Sequence, residues 1–150
     1  MSLSVSLIQS IQYLSQYYQN GKGAIKGEHR RKIEVTEQPF GSINLDPLIK
    51  AWDASEKEWD YLVTINSTLV FIEIHPATQK NIQDIIEKYK SLQKFIQQKI
   101  PQILIPNLKN KYVWISTSGM HFPKSGKGYK LLQKLKKLKI DNPREYISIP

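Results

Sequence analysis

Apolar residues recur at spacings of three and four over residues 3–18, where Leu7, Ile8, Ile11, Leu14 and Tyr18 alternate with outward-facing Gln9, Gln12 and Gln16. That period predicts a helix. Asn20-Gly21 supplies its stop, since both residues tolerate left-handed backbone. A Gly- and Lys-rich connection covers 21–32. Ile33, Val35 and the stretch Ile43–Leu48 then read as short extended segments, with Pro39-Phe40-Gly41 as a turn. At this point the period changes. Residues 59–65 and 68–74 are rich in β-branched and aromatic side chains and read as two strands. Asn66-Ser67 between them is a two-residue turn, in which Asn accepts positive φ. His75-Pro76 ends the second strand, because proline cannot continue a ladder. From Thr78 to about Lys99 the helical period returns. Ile82, Ile85, Ile86, Tyr89, Leu92, Ile96 and Ile100 form its apolar stripe, with Lys80, Lys88, Lys94 and Lys99 largely off it. Pro101 and Pro106 bracket a linker, and Tyr112–Ser116 reads as a third strand. Ser118-Gly119 and 125–128 mark a loop, 129–139 a lysine-rich helix, and Tyr146–Ile149 a last short strand.

The order of elements predicts an α/β domain: a mixed sheet with a central β-hairpin, flanked by helices. At 150 residues the chain fits one domain over 1–150, with a basic C-terminal helix. It has no apolar run of about 18 residues, which argues against a membrane span. The absence of cysteine excludes disulfides, thiolate metal sites and cysteine nucleophiles. No signal-peptide pattern opens the sequence, so a cytoplasmic location is expected. The formal net charge of +9 is uneven. Residues 1–100 carry 12 Lys and Arg against 11 Asp and Glu, while residues 101–150 carry 10 against 2. A basic C-terminal third points to a polyanionic partner or to a solvated surface. On the 129–139 helix, Leu131, Leu132, Leu135 and Leu138 form the inner side. Lys130, Lys134 and Lys137, with Lys127 just before it, are the candidates for phosphate contacts.

The hairpin carries the candidate chemistry. With a two-residue loop, Ile65 faces Thr68, Leu62 faces Phe71, Asp60 faces Glu73, and Glu58 faces His75. Side chains alternate across a strand, so these carboxylates and the imidazole share one face. Like charges directly opposite on a sheet destabilise it. A hard divalent cation would offset the cost, since Mg²⁺ takes one or two carboxylates plus waters and phosphate. An imidazolium at His75 would do so as well, and a solvated, frayed hairpin end is the alternative.

A helix, a hairpin with an acid on each strand, a crossover helix and a further strand resemble the PD-(D/E)XK, or restriction-endonuclease-like, nuclease superfamily. The matching positions are Asp60 and Glu73. Trp59 stands where the family has Pro, and His75 stands where it has Lys. The resemblance implies that Asp60 and Glu73 bind Mg²⁺ or Mn²⁺. It implies that His75, or Lys80 from the following helix, handles the attacking water, while Gln79 adds an amide and Glu28 serves as an extra acid. It also raises a homodimer as the working assembly, because one small domain reaches only one strand. More narrowly, Trp59-Asp60, Phe71-Ile72-Glu73-Ile74-His75-Pro76-Ala77 and Trp114-Ile115-Ser116-Thr117-Ser118-Gly119 resemble a group of small bacterial proteins without an assigned activity. That likeness implies a shared site at Glu73 and His75.

The function expected from this reading is metal-dependent cleavage of nucleic-acid phosphodiesters. The alternative is a non-catalytic binding or regulatory module on a degenerate nuclease scaffold, favoured by His75 at the Lys position. Gly126-Lys127-Gly128 is no P-loop, lacking the upstream glycine and the following Ser or Thr. His29 and His121 read as ordinary loop histidines, and Trp59 and Trp114 as core.

Overall fold

The fold is taken from a computed structural model and covers residues 2–121 and 126–149. In chain order it comprises α1 (Leu3–Ser10), α2 (Gln12–Ser15), β1 (Gln19–Asn20), α3 (Gly27–Arg30), β2 (Ile33–Val35), β3 (Phe40–Asn44), α4 (Asp46–Trp52), β4 (Tyr61–Ile65) and β5 (Thr68–Ile74). It continues with β6 (Ala77–Thr78), α5 (Gln79–Lys99), a 3₁₀ turn (Pro101–Ile103), β7 (Lys109–Ile115), β8 (Met120–His121), α6 (Gly126–Lys137) and β9 (Ile147–Ile149). β1, β3, β4, β5 and β7 form one sheet in that order. Its first three pairings are antiparallel and β5–β7 is parallel, so the sheet is mixed. The parallel pair follows from the crossover, because α5 carries the chain back over the sheet. β2 pairs with β9 and β6 with β8, both in parallel. Among the described residues no helix is long and apolar enough to cross a membrane.

Strand alternation divides the core in two. Leu62, Leu69, Phe71, Tyr112 and Trp114 face the helical side, against Ile82, Ile85, Ile86, Leu92, Phe95 and Ile96 of α5. Tyr61, Val63, Val70, Ile72 and Val113 face the other side, covered by Ile25, Ile33, Phe40, Ile147 and Ile149. The hairpin register is the predicted one, with Ile65 opposite Thr68 and Leu62 opposite Phe71. Asn66 has φ 51°, the left-handed conformation the turn requires.

Several local expectations change. The helix over 3–18 breaks at Ile11, which is extended at φ −87°, ψ 104°. No Gly or Pro marks the break. Past it α2 heads for α4, where the Tyr13 hydroxyl donates to Leu48 O at 3.3 Å. Pro39-Phe40-Gly41 is not a turn, since Phe40 and Gly41 begin β3. The extended stretch Ile43–Leu48 stops at Asn44, and α4 follows. Pro47 sits in its first turn, where a missing N–H costs nothing. The C-terminal helix starts earlier than predicted, at Gly126, with Gly126–Gly128 inside it. Ser125 of the predicted loop lies outside the described residues.

Gly41 is a point of close approach. A Cβ there would run into the ring of Tyr18, which lies across β3. Gly41→Ala is therefore expected to destabilise the fold by about 1–3 kcal/mol, the usual cost of overpacking. The cost should shrink in a Tyr18→Ala background, a coupling that urea melts of the double-mutant cycle will read.

Candidate acid–lysine site

Glu73 lies on the helical face of β5, where Leu69 and Phe71 precede it and a third apolar residue would pack. Its side chain is 0% exposed. Burying a carboxylate in this way is costly unless charge and hydrogen bonds compensate it. Three groups do so. Asp60 N–H donates to Glu73 Oε1 at 3.1 Å. Lys88 Nζ lies 2.6 Å from Oε2. Asp60 stands next to Glu73 and accepts from Ile74 N–H through Oδ2 at 2.9 Å. The backbone ladder stops at the Tyr61–Ile72 pair, and these crossed side chain-to-backbone bonds continue it.

Burial first, and then the neighbouring Asp60, push Glu73 well above its usual value of 4.5. Burial raises Asp60 too. Burial works against the Lys88 charge, but Glu73, Asp60 and Asp84 together outweigh it and raise its pKa. Lys88 therefore stays charged beside two carboxyls whose ionisation burial resists. The contact of the ammonium with Glu73 offsets part of the cost of burying the cluster.

A second chain of charges borders the first. His75 Nδ1 is 3.9 Å from Glu73 Oε2, and Nε2 is 3.5 Å from Asp84 Oδ2. Asp84 also binds Lys57 Nζ at 2.5 Å, and Lys57 reaches Glu87 at 2.6 Å. Despite its acidic neighbours, the His75 pKa is lowered, by burial and then by Lys88. The ring is therefore neutral at neutral pH, with a nitrogen lone pair available. Its backbone is fixed by Trp114 Nε1, which donates to His75 O at 2.9 Å, and by its own N–H to Ile115 O at 3.0 Å.

The structure brings Asp60, Glu73 and His75 together as the register required. It does not bring in Glu58, predicted to face His75. Glu58 lies before the ladder begins and pairs with Lys50 at 3.7 Å. Lys80 and Gln79 are exposed and line a cleft with Gln83, Lys127 and Leu131, in the first turn of α5. The lysine at Glu73 is Lys88, two turns further on. The available signal was Asp84 and Lys88 at i, i+4 beside the apolar stripe, a charged border for whatever the stripe covers. Glu28 is exposed and 3.8 Å from His29. His29 itself is more than a loop residue. Its Nδ1 hydrogen-bonds the Tyr61 hydroxyl at 2.8 Å, and Tyr61 is core. Trp59 and Trp114 are core, as expected. Lys127, Lys130, Lys134 and Lys137 are all exposed on α6, where Leu135 is the buried anchor.

As to a cation, Asp60 and Glu73 are hard oxygen donors in the number that Mg²⁺ or Mn²⁺ usually takes from a protein. The donor chemistry therefore fits such an ion, and Glu73 Oε2 already holds one positive charge, the Lys88 ammonium at 2.6 Å. Among the described residues no three His, Cys, Asp or Glu side chains gather into an all-protein metal site.

Comparison with protein-family models, curated proteins and solved structures gives no match, so the geometry carries the reading that follows.

Two outcomes test the cluster. Unfolded Glu73 releases its proton near 4.5, whereas the folded protein holds it to higher pH. The folded state binds more protons in that window, so this group's stabilisation is full below pH 4.5 and falls as pH rises above it. The stability of Glu73→Gln should therefore gain on wild type as pH climbs from 4.5, a trend that denaturant melts across pH will follow. Lys88→Met removes the cation and should cost about 3 kcal/mol at pH 7, the low end for a broken buried pair because the acids can take up a proton. The same melts should show that cost shrinking toward acid pH.

Proposed function

We propose that this chain is a nuclease-like protein that acts on nucleic-acid phosphodiesters, with Asp60, Glu73 and Lys88 as its acid–acid–lysine set. The observation that carries this reading is the 2.6 Å contact of Lys88 Nζ with Glu73 Oε2 beside Asp60. The lysine that the strand lacks, where His75 stands, is supplied by α5. The mixed sheet, its hairpin and the α5 crossover are compatible with a restriction-endonuclease-like arrangement.

Asp60 and Glu73 would hold Mg²⁺ or Mn²⁺. A bound cation supplies Lewis acidity to the phosphoryl oxygens. Lys88, 17% exposed at the rim, adds a fixed positive charge where negative charge grows on the phosphate. His75, neutral and 26% exposed, accepts the proton of an attacking water. Lys127, Lys130, Lys134 and Lys137 neutralise backbone phosphates without reading sequence.

One observation favours the second reading, a non-catalytic binding or regulatory module. Glu73 is fully enclosed, and both of its oxygens are satisfied internally. On that reading the cluster is a structural ion pair and the lysines alone meet the partner.

Plasmid, single-stranded DNA and RNA incubated with Mg²⁺ or Mn²⁺ should be cleaved by wild type and left intact by Asp60→Asn. Lys88→Met should retain binding and lose about 10²-fold or more in rate, as expected for loss of a charge-stabilising group. Saturating Mn²⁺ should stabilise wild type by roughly 1–3 kcal/mol and leave Glu73→Gln unmoved. Intact substrates together with identical melting curves with and without Mn²⁺ would overturn the nuclease reading in favour of the module.

A further inference from the structure

On the sheet face turned away from α5, a cavity of about 150 Å³ opens between β5, β7 and the C-terminal segment. Its floor includes Val70 and Val113, both core residues of that face. Its rim is cationic. Lys109 and Lys111 lie two apart on β7, so their side chains leave the same face of the strand. Arg144 comes from the segment that runs beside the end of β7, and its backbone is pinned there. Its N–H donates to Trp114 O at 3.1 Å, and its carbonyl accepts from Ser116 N–H at 2.7 Å. A guanidinium carries five N–H donors. Among the described residues this one makes a single hydrogen bond, to Asp141 Oδ2 at 3.5 Å. No ion pair reaches Lys109 or Lys111 among the described residues. Three cations thus meet one carboxylate around a small space with an apolar floor.

We infer that this cavity binds a small tetrahedral oxyanion of the phosphate class, gripped by Arg144 and Lys111 with Lys109 at the mouth. The planar guanidinium fork matches two oxygens of such an anion at once. The anion also relieves the repulsion between like charges on one strand face. Size sets the class. A space of about 150 Å³ holds an ion of oxyanion size. Pockets for larger ligands begin at about 300 Å³. Free phosphate and the terminal phosphate of an oligonucleotide share this chemistry. The cavity lies across the sheet from Asp60 and Glu73, so its ligand is independent of what the acid–lysine cluster does.

The test uses the full chain at constant ionic strength, with inorganic phosphate replacing chloride. Saturating phosphate should raise the wild-type melting temperature by about 4 °C. Calorimetric titration should show binding at least fivefold weaker in Arg144→Gln and in Lys111→Gln. Asp141→Asn frees the guanidinium and should tighten it. A trinucleotide bearing a 5′-phosphate should bind in a way its unphosphorylated twin does not. The proposal fails if phosphate gives no shift beyond chloride, if both variants bind as wild type does, or if the trinucleotide binds equally without its phosphate. A nuclease assay that fails leaves these outcomes untouched, and a phosphate response that fails leaves the nuclease assay untouched.

Discussion

The interaction on which this fold turns is the buried contact of Glu73 with Lys88 beside Asp60. Burial alone disfavours the charged form of each, and the contact between them offsets that cost. Each partner constrains an element. The carboxylate fixes where β5 ends relative to β4, because the Asp60 N–H must reach it. The ammonium fixes how far α5 is rotated over the sheet, because Lys88 must point inward while Ile85 and Ile86 remain packed. The segment between α4 and β4 is then tied to the same helix. Glu56 meets Ser91 and Lys94, and Lys57 meets Asp84 and Glu87. Register, helix rotation and loop path are therefore linked through charge as well as through packing.

The two bases near Glu73 are kept in opposite states by one environment. Lys88 lies closest to the acids and retains its proton, while burial, and then the Lys88 charge, make His75 give its proton up. A charged donor and a neutral acceptor side by side at a partly open rim are what proton transfer at a phosphoryl centre requires. The same pair also makes a stable, closed ion cluster. Binding of a cation by Asp60 and Glu73 is what separates the two uses.

Much of this was legible in the sequence because β-structure has a period of two. The Asn66-Ser67 turn set the hairpin register, and the register alone placed Asp60 beside Glu73. The long stripe from Ile82 to Ile96 gave α5 almost to the residue. Lys88 was hidden because its partner lies across a layer contact that no local period encodes. His29 was hidden likewise, since its partner Tyr61 belongs to another element. The break at Ile11 carries no breaker residue and answers to tertiary contacts. Gly41 read as a turn because glycine's use there, leaving room for the Tyr18 ring, depends on a side chain elsewhere in the chain.

The pairing of β2 with β9 has a consequence for the order in which the molecule can form. Thr36 Oγ1 reaches Ile149 O across 113 residues, whereas Lys88 reaches Glu73 across 15. Closing a short loop costs less entropy than closing a long one, so the acid–lysine half can assemble while the second face of the sheet is only partly covered. That face carries Val63, Val70 and Ile72, and its cover is incomplete until Ile147 and Ile149 join Ile25, Ile33 and Phe40. In a chain made from its N-terminus, a nearly complete charged cluster thus coexists with a partly covered apolar sheet until β9 emerges. The hazard of self-association is concentrated in the interval before β9 emerges, and its pairing with β2 acts as the closure.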